Sequence, residues 1–138
     1  GGEHNVPLYP GARDALERLH LQDSTLMGVA TGKARRGLDH AYKSHDIGHF
    51  FVTSQTSDTH PSKPHPSMLH QALLETGAPV EQAVMIGDTE FDMEMGRAAG
   101  YATIGVSWGY HPKSRLGAAD IIIDDFAALD AALAELWS

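Results

Sequence analysis

Short apolar runs alternate with stretches of helical spacing along most of the chain. Residues 26–30, 50–52, 83–86, 102–106 and 121–123 are apolar and short, the pattern of buried strands. Between them, residues 12–20, 34–44, 66–76, 90–99 and 126–136 read as helices. The spacing shows in Ala12, Leu16 and Leu19, in Met68, Ala72 and Leu73, and in Leu129, Leu133 and Leu136. Apolar strands separated by helices predict an α/β fold, a Rossmann-like parallel sheet with helices on both faces and right-handed crossovers. Gly11, Gly77 and Gly100 punctuate helix ends or turns, and Pro64 and Pro66 mark an extended lead into the third helix. No repeat or long linker interrupts the pattern, so residues 1–138 are expected to form a single domain.

Ligands of such sheets bind beyond the carboxyl ends of the strands, so the residues there carry the candidate chemistry. The run 83–86 leads into Gly87-Asp88-Thr89-Glu90-Phe91-Asp92, two carboxylates four positions apart at a strand-to-helix turn. Held close, Asp88 and Asp92 repel unless a cation or hydrogen bonds compensate, and hard oxygen ligands with open positions suit magnesium. The same residues could instead cap the helix and favour its dipole. Thr31-Gly32-Lys33 offers a hydroxyl, backbone N–H groups and an ammonium for phosphate oxygens, or else Thr31 is a helix N-cap. Lys63, in Pro61-Ser62-Lys63-Pro64-His65-Pro66, lies in a conformationally restricted segment. Its ammonium could pair with a carboxylate or a phosphoryl group, or be a solvated loop charge.

Composition narrows the partners. A net charge of −8 leaves no basic excess for a nucleic-acid surface, and phosphate chemistry would need a local cluster of donors and a cation. With no cysteine, disulfides, thiolate catalysis and zinc–thiolate sites are excluded, as fits a cytoplasmic protein. No run approaches the ~20 apolar residues that span a bilayer, and no signal-peptide pattern opens the chain. The start, Gly1-Gly2-Glu3-His4, has no initiator Met, as expected of a processed protein, an expressed domain or a remnant. His40, His45 and His49, and His60, His65 and His70, are grouped in sequence but lack the motif of a helical zinc site.

In combination the motifs are more specific. Thr31-Gly32 after one strand, Lys63-Pro64-His65-Pro66 before a helix and Gly87-Asp88 to Asp92 after the next strand resemble, in order and spacing, the second, third and fourth motifs of the haloacid dehalogenase-like hydrolase superfamily. Leu8-Tyr9-Pro10-Gly11, Arg97-Ala98-Ala99-Gly100, Gly105 to Tyr110 and Ala118 to Asp124 are similar to its phosphoglycolate phosphatase-like branch. The resemblance implies a magnesium-dependent phosphate monoester hydrolase acting on a small phosphorylated metabolite. Thr31, Gly32 and Lys33 would bind the phosphoryl oxygens. Lys63 would neutralise charge on nucleophile and phosphoryl group, Asp88 would ligate Mg2+, and Asp92 would support the metal.

The superfamily's first motif, an Asp-x-Asp pair whose first Asp attacks phosphorus, has no counterpart in the chain. Asp14 falls in a helical pattern, and Asp120, Asp124 and Asp125 follow the last strand. The expectation is a core domain without its cap and without its first, central strand, which belongs between the runs 26–30 and 83–86. Two inner edges would then be unpaired, to be filled by an N-terminal segment or another chain, or accommodated by rearrangement. The alternative function is a catalytically inert fragment or binding module that only folds or pairs. A receiver domain is disfavoured, because its acidic pair precedes its Thr and Lys.

Overall fold

The computed structural model describes residues 8–138; the opening Gly1-Gly2-Glu3-His4 lies outside them. The described residues form helices α1 (Ala12–His20), α2 (Arg35–His45), α3 (Ser67–Thr76), α4 (Glu90–Ala99) and α5 (Leu129–Trp137) and strands β1 (Gly28–Ala30), β2 (Thr53–Gln55), β3 (Val84–Gly87), β4 (Ala102–Val106) and β5 (Ile121–Ile123), which alternate except that β5 follows β4 without a helix between. The strand pairs are parallel: α2 and α4 make the crossovers β1–β2 and β3–β4, and a loop with a 3-10 turn, Lys113–Arg115, makes the crossover β4–β5.

The strands form two sheets, β1-β2 and β3-β4-β5. Neither β1 nor β3 pairs on its other edge among the described residues. This is the break expected where a central strand is lacking. On one side, Ala15 and Leu19 of α1 and Leu129, Ala132 and Leu133 of α5 pack on Ile104, Val106 and Ile123. In a second cluster, Met68 and Leu69 of α3 and Met95 and Ala99 of α4 meet Met85 of β3, with Ala30 of β1 against them. Helices α3 and α4 therefore join the two sheets by apolar burial, the dominant favourable term in such contacts.

The second strand departs from the hydrophobic reading. It runs over Thr53–Gln55, not residues 50–52. Phe50 closes a 3-10 turn, Gly48–Phe50, and is buried beneath the rings of His20 and His49. The strand that follows is polar yet buried, because its side chains are mutually satisfied. Thr53 Oγ1 accepts from Gln55 Nε2 at 2.8 Å and donates to Glu75 Oε1 at 2.7 Å, and Gln55 Oε1 lies 2.8 Å from His60 Nε2. The Thr53 hydroxyl, with Gln71 and Gln55, holds the Glu75 carboxyl below the usual carboxylate range. Smaller shifts occur at the ends of elements: β1 begins at Gly28, leaving Leu26 exposed, and α5 begins at Leu129 after a 3-10 turn, Phe126–Ala128. Among the described residues no helix is long and apolar enough to cross a membrane.

Candidate active site

The turn between β3 and α4 holds both carboxylates, by different means. Thr89 is the N-cap of α4, and it forms a capping box with Asp92: the Thr89 hydroxyl accepts from Asp92 N–H, and Thr89 N–H donates to Asp92 Oδ2. The spacing Thr89-x-x-Asp92 carries that signal in sequence. Asp92 is 4% exposed and still carries a salt bridge, from Lys63 Nζ to Oδ1 at 2.6 Å. A burial that deep is tolerable for a carboxylate because both of its oxygens are engaged. Gly87 makes room for it: a Cβ there would lie 2.4 Å from Asp92 Cβ.

Asp88 lies just outside the helix. Its Oδ2 accepts from Tyr110 N–H at 2.8 Å, and its carbonyl accepts from His111 N–H at 3.1 Å. The close approach depends on Gly109, where a Cβ would fall 2.1 Å from Asp88 Cβ. The helix-capping alternative thus divides: Asp92 completes the cap, whereas Asp88 is gripped by the turn after β4. The Gly109–His111 contribution was not legible beforehand, since it joins residues 21 positions or more apart.

Lys63 follows β2 and joins Pro64 through a cis peptide bond. Its contact with Asp92 brings the segment leaving β2 beside the segment leaving β3. Thr31 immediately follows β1. Its N–H donates to Gln55 O at 3.0 Å, and its hydroxyl accepts from Lys33 N–H at 3.1 Å. Thr31 is therefore not a helix N-cap; Ala34 is, without a side-chain bond. Gly32 borders open space, while the Lys33 stem lies near Gly37. Among the described residues no hydrogen bond or ion pair joins Thr31, Gly32 or Lys33 to Lys63, Asp88 or Asp92.

The donor set fits magnesium in kind. Asp88 offers a half-buried hard oxygen ligand, whereas Asp92 is committed to Lys63 and Thr89. Among the described residues no group of three or more His, Cys, Asp or Glu side chains could hold a metal. A complete site built on Asp88 would then draw further ligands from water, phosphate or another segment.

The comparisons agree with this architecture. Over 136 residues the chain is 32% identical to a phosphoglycolate phosphatase of Aliivibrio fischeri, covering 96% of this chain and 60% of that protein. A crystal structure of a predicted phosphoglycolate phosphatase from Haemophilus somnus superposes with a TM-score of 0.84 at 27% identity, over 95% of this chain and 60% of that one. A haloacid dehalogenase-like family hydrolase from Streptococcus pneumoniae gives 0.82 at 30% identity, over 95% and 62%. The chain thus spans about three-fifths of the length of these relatives. The family model for haloacid dehalogenase-like hydrolases matches residues 2–106. With that match over most of its length and with the α/β core of its structural relatives, the chain belongs to the haloacid dehalogenase-like hydrolase family.

Proposed function

We propose that the chain is part of a magnesium-dependent phosphate monoester hydrolase, phosphoglycolate phosphatase-like, that works through an aspartyl-phosphate on an Asp lying outside it. The observation that carries the reading is the 2.6 Å Lys63–Asp92 bridge beside Asp88, which gathers an ammonium and two carboxylates from the ends of separate strands. In this reading Thr31 and the Gly32 N–H bind phosphoryl oxygens, with Lys33 adding positive charge. Lys63, fixed in direction by Asp92, faces the negative charge of nucleophile and phosphoryl group. Asp88 would ligate Mg2+, with Asp92 in support through Lys63, Thr89 and water. The metal would supply charge neutralisation at the phosphoryl oxygens. The substrate would be a small phosphorylated metabolite in a cytoplasmic setting.

In this reading residues 1–138 alone would hold phosphate without the attacking Asp, so binding would confer little transition-state advantage. The test compares this chain with the same chain supplied with an N-terminal segment that carries the Asp-x-Asp pair, assayed on phosphoglycolate and a generic phosphate ester with magnesium. The longer protein should turn over, and Asp88→Asn in it should lose roughly a hundredfold or more. Undiminished activity in Asp88→Asn removes the metal assignment. Turnover by residues 1–138 that vanishes in Asp88→Asn would put the nucleophile inside this chain.

A further inference from the structure

His111 is 5% exposed, in a turn whose neighbour Tyr110 is 84% exposed. Its ring does not pack as a spare apolar group. Nδ1 accepts from Glu90 N–H at 3.0 Å, and Glu90 is the first residue of α4. The first N–H groups of a helix have no partner within it, and the Thr89–Asp92 capping box leaves this one unmet. A nitrogen that accepts must carry its lone pair, so the ring proton sits on Nε2. The His111 backbone N–H meanwhile donates to Asp88 O, and Tyr110 N–H donates to Asp88 Oδ2. Consecutive residues thus fasten the Asp88 turn at its carbonyl, at its carboxylate and at the N–H that starts the helix. The Phe91 ring stands edge-on to the imidazole, with centroids 5.6 Å apart.

We propose that His111 is a positioning residue for Asp88: by accepting Glu90 N–H it locks the turn after β4 onto the start of α4, so that Tyr110 N–H aims the carboxylate. Asp92 has a hold outside this lock, the ion pair with Lys63 from the segment after β2. The inference rests on the reading of Asp88 as a metal ligand.

The substitutions separate acceptor from bulk. His111→Phe keeps a buried ring and removes the acceptor. His111→Asn places an amide oxygen where Nδ1 stood and gives up the ring. Glu90→Pro removes the donor itself; proline is favoured at the first helical position, and Thr89, at φ −123° and ψ 156°, already has the backbone that precedes proline. Glu90→Ala, which retains the N–H, controls for loss of the Glu90–Arg115 ion pair.

The probe is Mn2+ titrated into the isotope-labelled chain of 138 residues. The signal is paramagnetic broadening of the Thr89, Glu90 (absent in the proline variant) and Tyr110 amide resonances, and folding is checked by circular dichroism. His111→Phe and Glu90→Pro should each require about tenfold more Mn2+ for equal broadening, while His111→Asn and Glu90→Ala stay within about threefold of the unsubstituted chain. If His111→Phe does not fold, Glu90→Pro against Glu90→Ala decides. Equal Mn2+ response in all variants, with broadening abolished by Asp88→Asn, overturns the role of His111 and leaves the Asp88 reading standing. Broadening that persists in Asp88→Asn, or none near the turn, overturns the Asp88 reading and the inference with it.

Discussion

Strands β1 and β4 are both built from small and apolar residues, yet their burial differs. Every residue of β4 after Ala102 is buried, whereas Gly28 of β1 is exposed and Val29 and Ala30 only half-buried. The cause is position. β4 has neighbours on both edges and helix-borne clusters against its residues, while among the described residues β1 has a partner on one edge only. The same contrast extends to the candidate site. In the three-stranded half, Asp88 and Asp92 sit in a mesh of backbone and side-chain bonds. In the two-stranded half, Thr31 makes one local turn bond with its hydroxyl, and Gly32 and Lys33 are exposed. Asp88 is held within its own half, by Tyr110, whereas Asp92 and the groups of the two-stranded half depend on what joins the two. The joints include the α3–α4 cluster, the Lys63–Asp92 bridge, the contact of Tyr101 with α3, and α1, whose Arg13 donates to His45 O and whose His20 ring meets Phe50.

Each joint offers a way to break that comparison. The largest effect is expected from Met95→Ala. Met95 is 0% exposed within the joining cluster, and emptying such a site costs about 2–5 kcal/mol. Chemical denaturation should show the loss, and hydrogen exchange should speed up in β1 and β2 as well as in β3. Faster exchange confined to β3 and β4 would mean that the halves are held together by something other than α3 and α4.

Next is Lys63→Ala, which leaves the buried Asp92 without its cation. The cost should be about 2 kcal/mol, below the value for a fully buried pair because the Lys63 side chain remains 23% exposed. A double-mutant cycle with Asp92→Ala measures the coupling. A coupling near zero would remove the bridge from the list of joints.

The smallest effect concerns Tyr101, whose hydroxyl donates to Leu69 O at 2.7 Å and so ties the lead into β4 to α3. Burial pushes this phenol up to about 12 from an ordinary value near 10. Below pH 10 it is neutral whether the chain is folded or unfolded. Between pH 10 and 12 the unfolded chain loses the proton first and binds fewer protons than the folded one, so stability falls as pH rises. Tyr101→Phe should cost about 1 kcal/mol at neutral pH and show a shallower decline over that window in urea titrations. Tyr42, raised by its own burial, is present in both proteins and cancels. An unchanged slope would show that the phenol titrates alike in both states.

How much of this was legible in sequence follows the range of the interactions. Strands β3, β4 and β5 and helices α1 and α4 lie close to where apolar runs and helical spacing put them, because burial on a central sheet selects apolar residues at each position. β2 escaped that signal. Its buried residues, Thr53 and Gln55, are polar and are satisfied by Glu75 and His60, side chains brought in by the fold. The neighbouring Phe50 is apolar but anchors a turn.

By itself the sequence determined the parallel α/β class and the family, and it supplied Thr31, Lys63, Asp88 and Asp92 as candidates and the expectation of a break between β1 and β3. All of these rest on local spacing or on short motifs. Only the tertiary structure decided that Asp92 is bridged by Lys63 at a separation of 29 positions, while Asp88 is held by Tyr110 and His111. A hydrogen bond depends on distance and direction in space, and no one-dimensional spacing encodes which of two neighbouring carboxylates will meet the ammonium and which the backbone of a distant turn.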